Sequence, residues 1–327
     1  MACGQLPDLN AGTLNVGGSL RDRITDITYL FAATNMDYLG LQDIRQTKRE
    51  GQTIAATIRK LLPPGTLVLQ APITKLRPFD PSPIGGQLVI LSHRRGHQAN
   101  RWYADPTGRG LLTGITISNA HTKIRLLSTY WPIPHAENQH LSSLHAHVVN
   151  YLHQHSPLKD FPDLDQTHPL TYIQDLIMRE VHKHQRNPTH QTLLMGDLNS
   201  SWTNTDRGGT HPALQTWANQ MGWDNPSRTL ANAYTDFNIR TNWAANTPIS
   251  WIDHILTYRS PTTPTLLGSH LARSPNTISD KHRLFWNSYR IPDGPHNPAN
   301  GLPHAHTTVS NAKYPTYSET STLRQST

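Results

Sequence analysis

Short apolar segments alternate with amphipathic segments along this chain from residue 12 to about residue 292. Segments 38–42 and 122–130 have the length and composition of strands, and segment 48–62 carries apolar residues at helical spacing. Segment 118–121 lies between two apolar runs and has the composition of a hairpin turn. Strands paired by hairpins, with helices between the pairs, predict a layered α/β sandwich rather than a doubly wound parallel sheet.

The composition changes after residue 292, where Pro, Asn, His, Thr and Ser dominate. Ordering such a segment would not recover its conformational entropy. We therefore expect a short N-terminal extension at 1–11, one folded domain at 12–292 and a disordered tail at 293–327. No apolar run approaches the roughly 18–20 residues that span a bilayer, and the first ten residues lack a signal peptide. These features predict an intracellular protein without a membrane partner.

The charge balance limits the class of partner only loosely. The 327 residues include 29 Lys and Arg against 22 Asp and Glu, which gives a net charge of +7. This surplus permits a polyanionic partner such as nucleic acid but does not require one. Arg95, in the basic segment 93–95, is a candidate phosphate contact, and a solvated surface is the alternative. The single Cys3 excludes an intramolecular disulfide scaffold.

A carboxylate and an amide follow the apolar strand predicted at 192–195. Residues i and i+2 of a strand face the same side, so Asp197 and Asn199 can converge on one point. Such a pair suits the positioning and deprotonation of a water molecule, or the binding of a hydrated metal. A turn rich in Asn and Asp that closes a strand is the structural alternative.

Two later segments contain further candidates. Asp253 lies inside an apolar strand, and a buried carboxylate needs a partner, either a His or backbone amides. Segment 279–283 supplies an Asp, a His and two cations just before an apolar strand. This second segment has a functional interpretation, and a solvated turn is its alternative.

Taken in order, these segments resemble the motifs of the endonuclease/exonuclease/phosphatase superfamily, which has the DNase I-like fold. The matching segments are Thr13-Leu14-Asn15-Val16 and Leu41-Gln42-Asp43 for the two metal-site motifs, Thr129-Tyr130-Trp131-Pro132 for Tyr-x-Pro, Gly196-Asp197-Leu198-Asn199 for Gly-Asp-Phe-Asn, Ser250-Trp251-Ile252-Asp253 for Ser-x-Ile-Asp, and Ser279-Asp280-Lys281-His282 for Ser-Asp-His. Segment 250–256 is most similar to the endonucleases of non-LTR (LINE-type) retrotransposons and to apurinic/apyrimidinic (AP) endonucleases. The resemblance implies a four-layered α/β sandwich of two packed, mostly antiparallel sheets flanked by helices.

The resemblance also implies an activity. The implied activity is that of a Mg²⁺-dependent endonuclease, for which Mn²⁺ is an alternative metal. Such an enzyme nicks DNA and leaves a 3′-hydroxyl and a 5′-phosphate. A retrotransposon-derived protein of this kind would act in the nucleus. Asn15, Asp43 and Asp280 would hold the metal, and Asp197, steadied by Asn199, would activate the attacking water.

The remaining roles concern the phosphate and the DNA around it. His282, hydrogen-bonded to Asp253, would donate to the phosphate, and Tyr130 would contact it from the other side. The further candidates for substrate binding are Thr235, Ser250, Trp202, which could stack on a nucleobase, and Arg95.

Two departures from the superfamily pattern leave alternatives open. Asp43 replaces the usual Glu and so withdraws the carboxylate by one methylene. Lys281 is inserted between Asp280 and His282, and in a strand an extra residue turns the next side chain away unless a bulge absorbs it. The alternatives are a phosphatase or phosphodiesterase of the same fold acting on a lipid or inositol phosphate, and a catalytically impaired relic that binds nucleic acid.

Overall fold

The computed structural model describes residues 8–18, 20–71, 73, 84–118, 122–134, 143–155, 168–185, 190–203, 211–212, 214–233, 241–244, 247–260, 264–272 and 281–291. The predicted tail at 293–327 and most of the N-terminal extension lie outside the described residues. The first strand begins at Leu9, ahead of the predicted domain start at residue 12. None of the helices within these ranges combines the length and apolar character that a bilayer crossing requires.

The described residues form fourteen strands and seven α-helices. The strands are β1 (Leu9–Asn15), β2 (Tyr38–Gln42), β3 (Leu67–Ala71), β4 (Gln87–Leu91), β5 (Ala99–Ala104), β6 (Leu112–Ser118), β7 (Lys123–Tyr130), β8 (His190–Asp197), β9 (Trp223–Asp224), β10 (Asn242–Ala244), β11 (Thr247–Ser250), β12 (Asp253–Tyr258), β13 (Thr265–Leu271) and β14 (Phe285–Arg290). The helices are α1 (Ile24–Ala33), preceded by a 3-10 turn at Leu20–Arg23, α2 (Lys48–Leu61), α3 (His93–Gly96), α4 (Leu144–His155), α5 (Pro169–His184), α6 (Leu214–Met221) and α7 (Pro226–Ala233).

Twelve of these strands form two six-stranded sheets. The first sheet has the order β13-β14-β1-β2-β4-β3, and the second has the order β5-β6-β7-β8-β12-β9. β1 and β2 are parallel, as are β7 and β8, and the other neighbours in these sheets are antiparallel. The predicted mostly antiparallel architecture is therefore confirmed, with one parallel pair inside each sheet.

Apolar side chains on opposite faces of the strands build three buried clusters. One cluster packs α1 and α2 against the first sheet, and a second packs α4, α5 and α6 against the second sheet. The third cluster lies between the sheets and joins Val89 of β4 to Leu126 of β7 and Ile255 of β12. Helix, sheet, sheet and helix thus form the four layers of an α/β sandwich, as predicted.

The loop between β2 and α2 is fixed at its C-terminal end by a capping box. The backbone N–H of Thr47 donates to Glu50 Oε2 at 3.0 Å, and the Glu50 N–H donates to Thr47 Oγ1 at 3.4 Å. These bonds satisfy backbone donors that a helix N-terminus otherwise leaves unpaired. They hold the helix start next to the strand end that carries Asp43.

Candidate active site

The ends of four strands bring the main candidate residues together. Asp197 is the last residue of β8 and is paired in parallel register with Tyr130, the last residue of β7. On the other side of β8, Asp197 is opposite Asp253, the first residue of antiparallel β12. Asn15, the last residue of β1, reaches Asp197 from the first sheet through a side-chain hydrogen bond of 2.8 Å.

Asp197 lies at the centre of this cluster and is 1% exposed. Its Oδ2 accepts the bond from Asn15 Nδ2, and its Oδ1 accepts the backbone N–H of Asn199 at 2.9 Å. Burial, and then repulsion from Asp253, raise the pKa of Asp197 to about 7, although these bonds and His282 favour the charged form. A carboxylate of this kind can accept a proton near neutral pH.

His282 lies between two carboxylates. Its Nδ1 is 2.9 Å from Asp253 Oδ2, and its Nε2 is 3.7 Å from Asp197 Oδ2. Burial opposes the imidazolium charge, but attraction to Asp253 and Asp197 and the bond to Asp253 outweigh it and raise the pKa of His282 to about 9. His282 is therefore a protonated donor at neutral pH.

The inserted Lys281 does not turn His282 away from the cluster. Residues 281–284 precede β14, and His282 makes only an isolated bridge to Asn242. The strict alternation of a strand does not govern this segment, since His282 and Arg283 are both buried while Lys281 is exposed. Asp280 lies outside the described residues.

Tyr130 completes the cluster on the side of β7. Its half-buried side chain lies beside Asn15. Burial, followed by the charges of Asp43 and Asp197, holds the pKa of Tyr130 well above its usual value. The phenol remains protonated and can donate a hydrogen bond to an anion.

Asn199 supports Asp197 through its backbone rather than its amide. It adopts a left-handed backbone (φ 45°), and its Nδ2 donates to the carbonyl oxygen of Trp131 at 2.8 Å. The strand ends at Asp197, so the alternation that predicted convergence of the two side chains does not extend to residue 199. The amide instead ties this turn to the end of β7.

Asp43 is paired with a residue that the sequence analysis did not select. Arg45 Nη2 lies 2.8 Å from Asp43 Oδ2, and Arg45 Nε lies 3.2 and 3.1 Å from the two carboxylate oxygens. The backbone N–H of Gly85 also donates to Asp43 Oδ1 at 3.2 Å. Strand spacing would not have identified this pair, because β2 ends at Gln42 and both Asp43 and Arg45 adopt a left-handed backbone.

The donor set fits a hard divalent cation. Asn15, Asp43 and Asp197 offer amide and carboxylate oxygens, which are the ligands that Mg²⁺ and Mn²⁺ prefer. Ligand atoms of Asp197, Asp253 and His282 also lie within 4.8 Å of one another, and Asp253 Oδ1 has no hydrogen-bond partner among the described residues. A metal held by this second group would require His282 to lose its proton.

Two of the other predicted substrate contacts, Arg95 and Trp202, are buried in the structure. Arg95 is 2% exposed, and its Nε is 3.3 Å from an oxygen of Asp37, which precedes β2 at the end opposite Asp43. Arg95 is therefore paired with a buried carboxylate at the end of β2 opposite Asp43. Trp202 is buried in the second cluster, which leaves little of its ring for a nucleobase.

Ser250 and Thr235 are the remaining predicted substrate contacts. Ser250 is buried, and its Oγ accepts a hydrogen bond from Asn242 Nδ2 at 3.2 Å. Thr235 lies outside the described residues. A residue missed by the sequence analysis is Thr241, whose Oγ1 accepts the backbone N–H of Asp253 at 3.1 Å and fixes the start of β12.

The fold is similar to that of solved nucleases, although the sequences differ widely. No protein-family model matches the sequence, and no curated protein matches it. The AP endonuclease LMAP from Leishmania major gives a TM-score of 0.61 at 14% identity, over 87% of this chain and 88% of that one. An AP endonuclease from Archaeoglobus fulgidus gives 0.58 at 14% identity, over 86% and 100%.

A third solved structure extends the comparison to a protein bound to DNA. The 3′ phosphatase NExo from Neisseria, in a variant form bound to a product DNA hairpin, gives a TM-score of 0.58 at 15% identity, over 86% of this chain and 99% of that one. In all three cases most of both chains superpose. Together with the two packed mixed sheets and their outer helices, this likeness shows that the chain has the DNase I-like fold.

Proposed function

We propose that this protein is a phosphoester hydrolase that nicks DNA as a Mg²⁺-dependent endonuclease. The observation that carries the proposal is the buried group of Asp197, Asp253 and His282, in which a carboxylate of raised pKa lies beside a protonated imidazole. Hydrolysis of a phosphodiester needs both a proton acceptor for water and donors for the phosphate oxygens. This group supplies both.

Asp197 is the proposed base. Asn15 Nδ2 and the backbone N–H of Asn199 each hold one of its oxygens, so its orientation is fixed before substrate arrives. Its raised pKa makes the carboxylate a better proton acceptor than an exposed Asp. The water proton would pass to Asp197 as the water oxygen bonds to phosphorus and the bond from phosphorus to the 3′ oxygen breaks. The departing 3′ oxygen would take a proton from solvent and become the 3′-hydroxyl.

His282 and Tyr130 are the proposed donors to the phosphate. The bond from His282 Nδ1 to Asp253 keeps the imidazole charged and places Nε2 on the side of Asp197, where the substrate would bind. The Tyr130 phenol would donate to a second non-bridging oxygen. Such preorganised donors stabilise the charge that develops on the phosphate in the transition state.

A divalent cation bound at this site would stabilise charge on the phosphate and leaving-group oxygens. We propose that Asn15 and Asp43 hold it, together with Asp280. Two carboxylates, an amide oxygen and remaining water ligands would suit the coordination that Mg²⁺ prefers.

Three observations favour DNA as the substrate. The chain has a net charge of +7, which suits a polyanion. Proteins of similar fold include AP endonucleases and a 3′ phosphatase bound to a DNA hairpin. Segment 250–256 resembles the corresponding motif of non-LTR retrotransposon endonucleases. We infer a retrotransposon-type endonuclease, which would act in the nucleus if it derives from such an element.

The test is the nicking of supercoiled plasmid in Mg²⁺ or in EDTA. The parent protein should give open circles that need Mg²⁺, and Asp197→Asn should lower the rate by about 10²- to 10⁴-fold, the range for loss of a general base. Asp224→Asn is the matched control, because Asp224 is a half-exposed carboxylate on β9, paired with the end of β12 far from Asp253. Equal rates for the parent and Asp197→Asn would contradict the proposal.

The product ends provide an independent check. DNA ligase should reseal the nicks, because it joins only a 3′-hydroxyl to a 5′-phosphate. A folded parent protein that leaves the plasmid intact but releases phosphate from inositol or lipid phosphates would favour the phosphatase alternative. DNA binding without cleavage would favour the relic.

A further inference from the structure

The turn that carries Asp43 has an unusual backbone. Asp43 and Arg45 both adopt the left-handed conformation, with φ values of 51° and 50°, which non-glycine residues rarely adopt. Backbone bonds hold this geometry: the Gly18 N–H donates to the Asp43 carbonyl at 2.8 Å, and the Arg45 N–H donates to the Gly85 carbonyl at 2.9 Å. The turn therefore directs both side chains to the same place.

In that place the Arg45 guanidinium covers the Asp43 carboxylate. Three N–O distances of 2.8 to 3.2 Å join them, and the Asp43 side chain is only 4% exposed. Gly18 leaves the space that Arg45 occupies, since a Cβ at Gly18 would lie 2.6 Å from Arg45 Cδ. Both carboxylate oxygens of Asp43 thus contact a cation that belongs to the chain.

The Arg45 side chain is nevertheless able to leave. It is 48% exposed, and a long flexible arginine can place its guanidinium in water at little cost. The Asp43 carboxylate cannot follow, because it is buried and Gly85 also holds it. Asp43 is therefore the fixed member of the pair and Arg45 the exchangeable one.

We propose that Arg45 is a tethered counter-ion of Asp43 that a divalent cation has to displace, so that Arg45 weakens metal binding at this site. The inference rests on the proposed function only in that Asp43 is a metal ligand. Without metal, Arg45 neutralises a buried carboxylate, which is costly to leave unpaired. With metal, the cation takes that role and the guanidinium moves toward solvent.

The test is calorimetric titration of the full chain with Mn²⁺ in the absence of DNA. Arg45→Gln should bind Mn²⁺ roughly two- to fivefold more tightly than the parent, the range set by the loss of one half-exposed ion pair. Arg45→Lys keeps the charge without the bidentate contact and should give an intermediate affinity. It also provides a second variant if Arg45→Gln does not fold.

Arg259→Gln is the matched control. Arg259 makes a bidentate pair with Asp224 through N–O distances of 2.7 to 3.0 Å, and its side chain is 52% exposed. Removing this pair should leave Mn²⁺ affinity unchanged. A tighter affinity in Arg259→Gln as well would overturn the inference, because the effect would then follow from net charge alone.

Thermal unfolding gives a second readout. In EDTA, Arg45→Gln should melt below the parent because Asp43 loses its partner, and Mn²⁺ should raise its Tm by more than it raises that of the parent. Equal or weaker Mn²⁺ affinity in folded Arg45→Gln would overturn the inference. If the parent still nicks DNA in that case, the proposed function stands. A parent that neither binds Mn²⁺ nor nicks would overturn both.

Discussion

His282 and Asp253 form a buried pair in which Nδ1 and Oδ2 are 2.9 Å apart, although the two residues lie 29 positions apart in the sequence. Asp253 is fixed by the β-ladder to Asp197 and by the hydroxyl of Thr241. His282 lies in an irregular segment before β14. The strand therefore determines the position of the carboxylate, and the carboxylate determines the orientation and charge of the imidazole.

The first prediction concerns the energetic coupling of this pair. His282→Ala should lower plasmid nicking by about 10²- to 10⁴-fold, and Asp253→Asn should lower it as well, because the imidazole loses its anchor and charge. The double variant should be no slower than His282→Ala alone, because both substitutions disable the same hydrogen-bonded pair. Single-turnover nicking rates test this prediction. If the rate loss of the double variant equals the product of the two single losses, Asp253 acts separately from His282.

The second prediction concerns the pH dependence of nicking. Activity should rise through about pH 7 as Asp197 loses its proton and fall through about pH 9 as His282 loses its own. Because the two groups interact, each apparent pKa of the pH profile is a property of the coupled pair and not of one residue alone. In Asp253→Asn the alkaline limb should move to lower pH, since attraction to Asp253 supports the charge of His282. If the alkaline limb of Asp253→Asn lies at the same pH as that of the parent, attraction to Asp253 is not what raises the pKa of His282.

The fold could be predicted where the apolar pattern is strong. The bounds predicted for β2 and the start of α2 agree with the structure, because both elements carry apolar side chains into a core. β5 and β13 were missed, and both are edge strands whose side chains are mostly half-buried or exposed. An edge strand lacks the alternation that identifies a strand in a sequence.

The site could be predicted only in part, for a related reason. Asp197, Asp253 and His282 stand out in ordered motifs, and the structure brings them together. The burial of Arg95 depends on Asp37, 58 residues away, and sequence patterns do not reveal such a long-range partner. The pairing of Arg45 with Asp43 depends on two left-handed residues, which neither strand nor helix periodicity can represent.

The third prediction concerns the strand that carries Asp197. Gly196 has φ 154°, and a Cβ there would overlap the carbonyl oxygen of Thr129 in neighbouring β7. Gly196→Ala should therefore lower the free energy of unfolding by roughly 2–4 kcal/mol, as severe overpacking does. Gly17→Ala is the control, because Gly17 also has positive φ but open space around it, and should cost about 1 kcal/mol. Urea unfolding checks both, and equal losses would exclude the steric explanation.

The last prediction concerns stability in acid. His184 is buried at the end of α5 and stacks on His190 with ring centroids 4.6 Å apart. Burial, followed by repulsion from His190, lowers the pKa of His184 to about 4 from an ordinary value of 6.5. The folded state then binds fewer protons than the unfolded state between these values, so its stability is complete above about pH 6.5 and falls toward pH 4.

The size of this effect follows from the pKa difference. Each pKa unit corresponds to about 1.4 kcal/mol, so His184 should account for a loss of up to ~3 kcal/mol between these pH values. His184→Gln should flatten the decline in the free energy of unfolding measured by urea titration across this range. His153→Gln, at an exposed position on α4, is the control and should leave the slope unchanged. The same decline in the parent and in His184→Gln would mean that other groups drive acid unfolding, with His211 the next to test because burial lowers its pKa to about 4 as well.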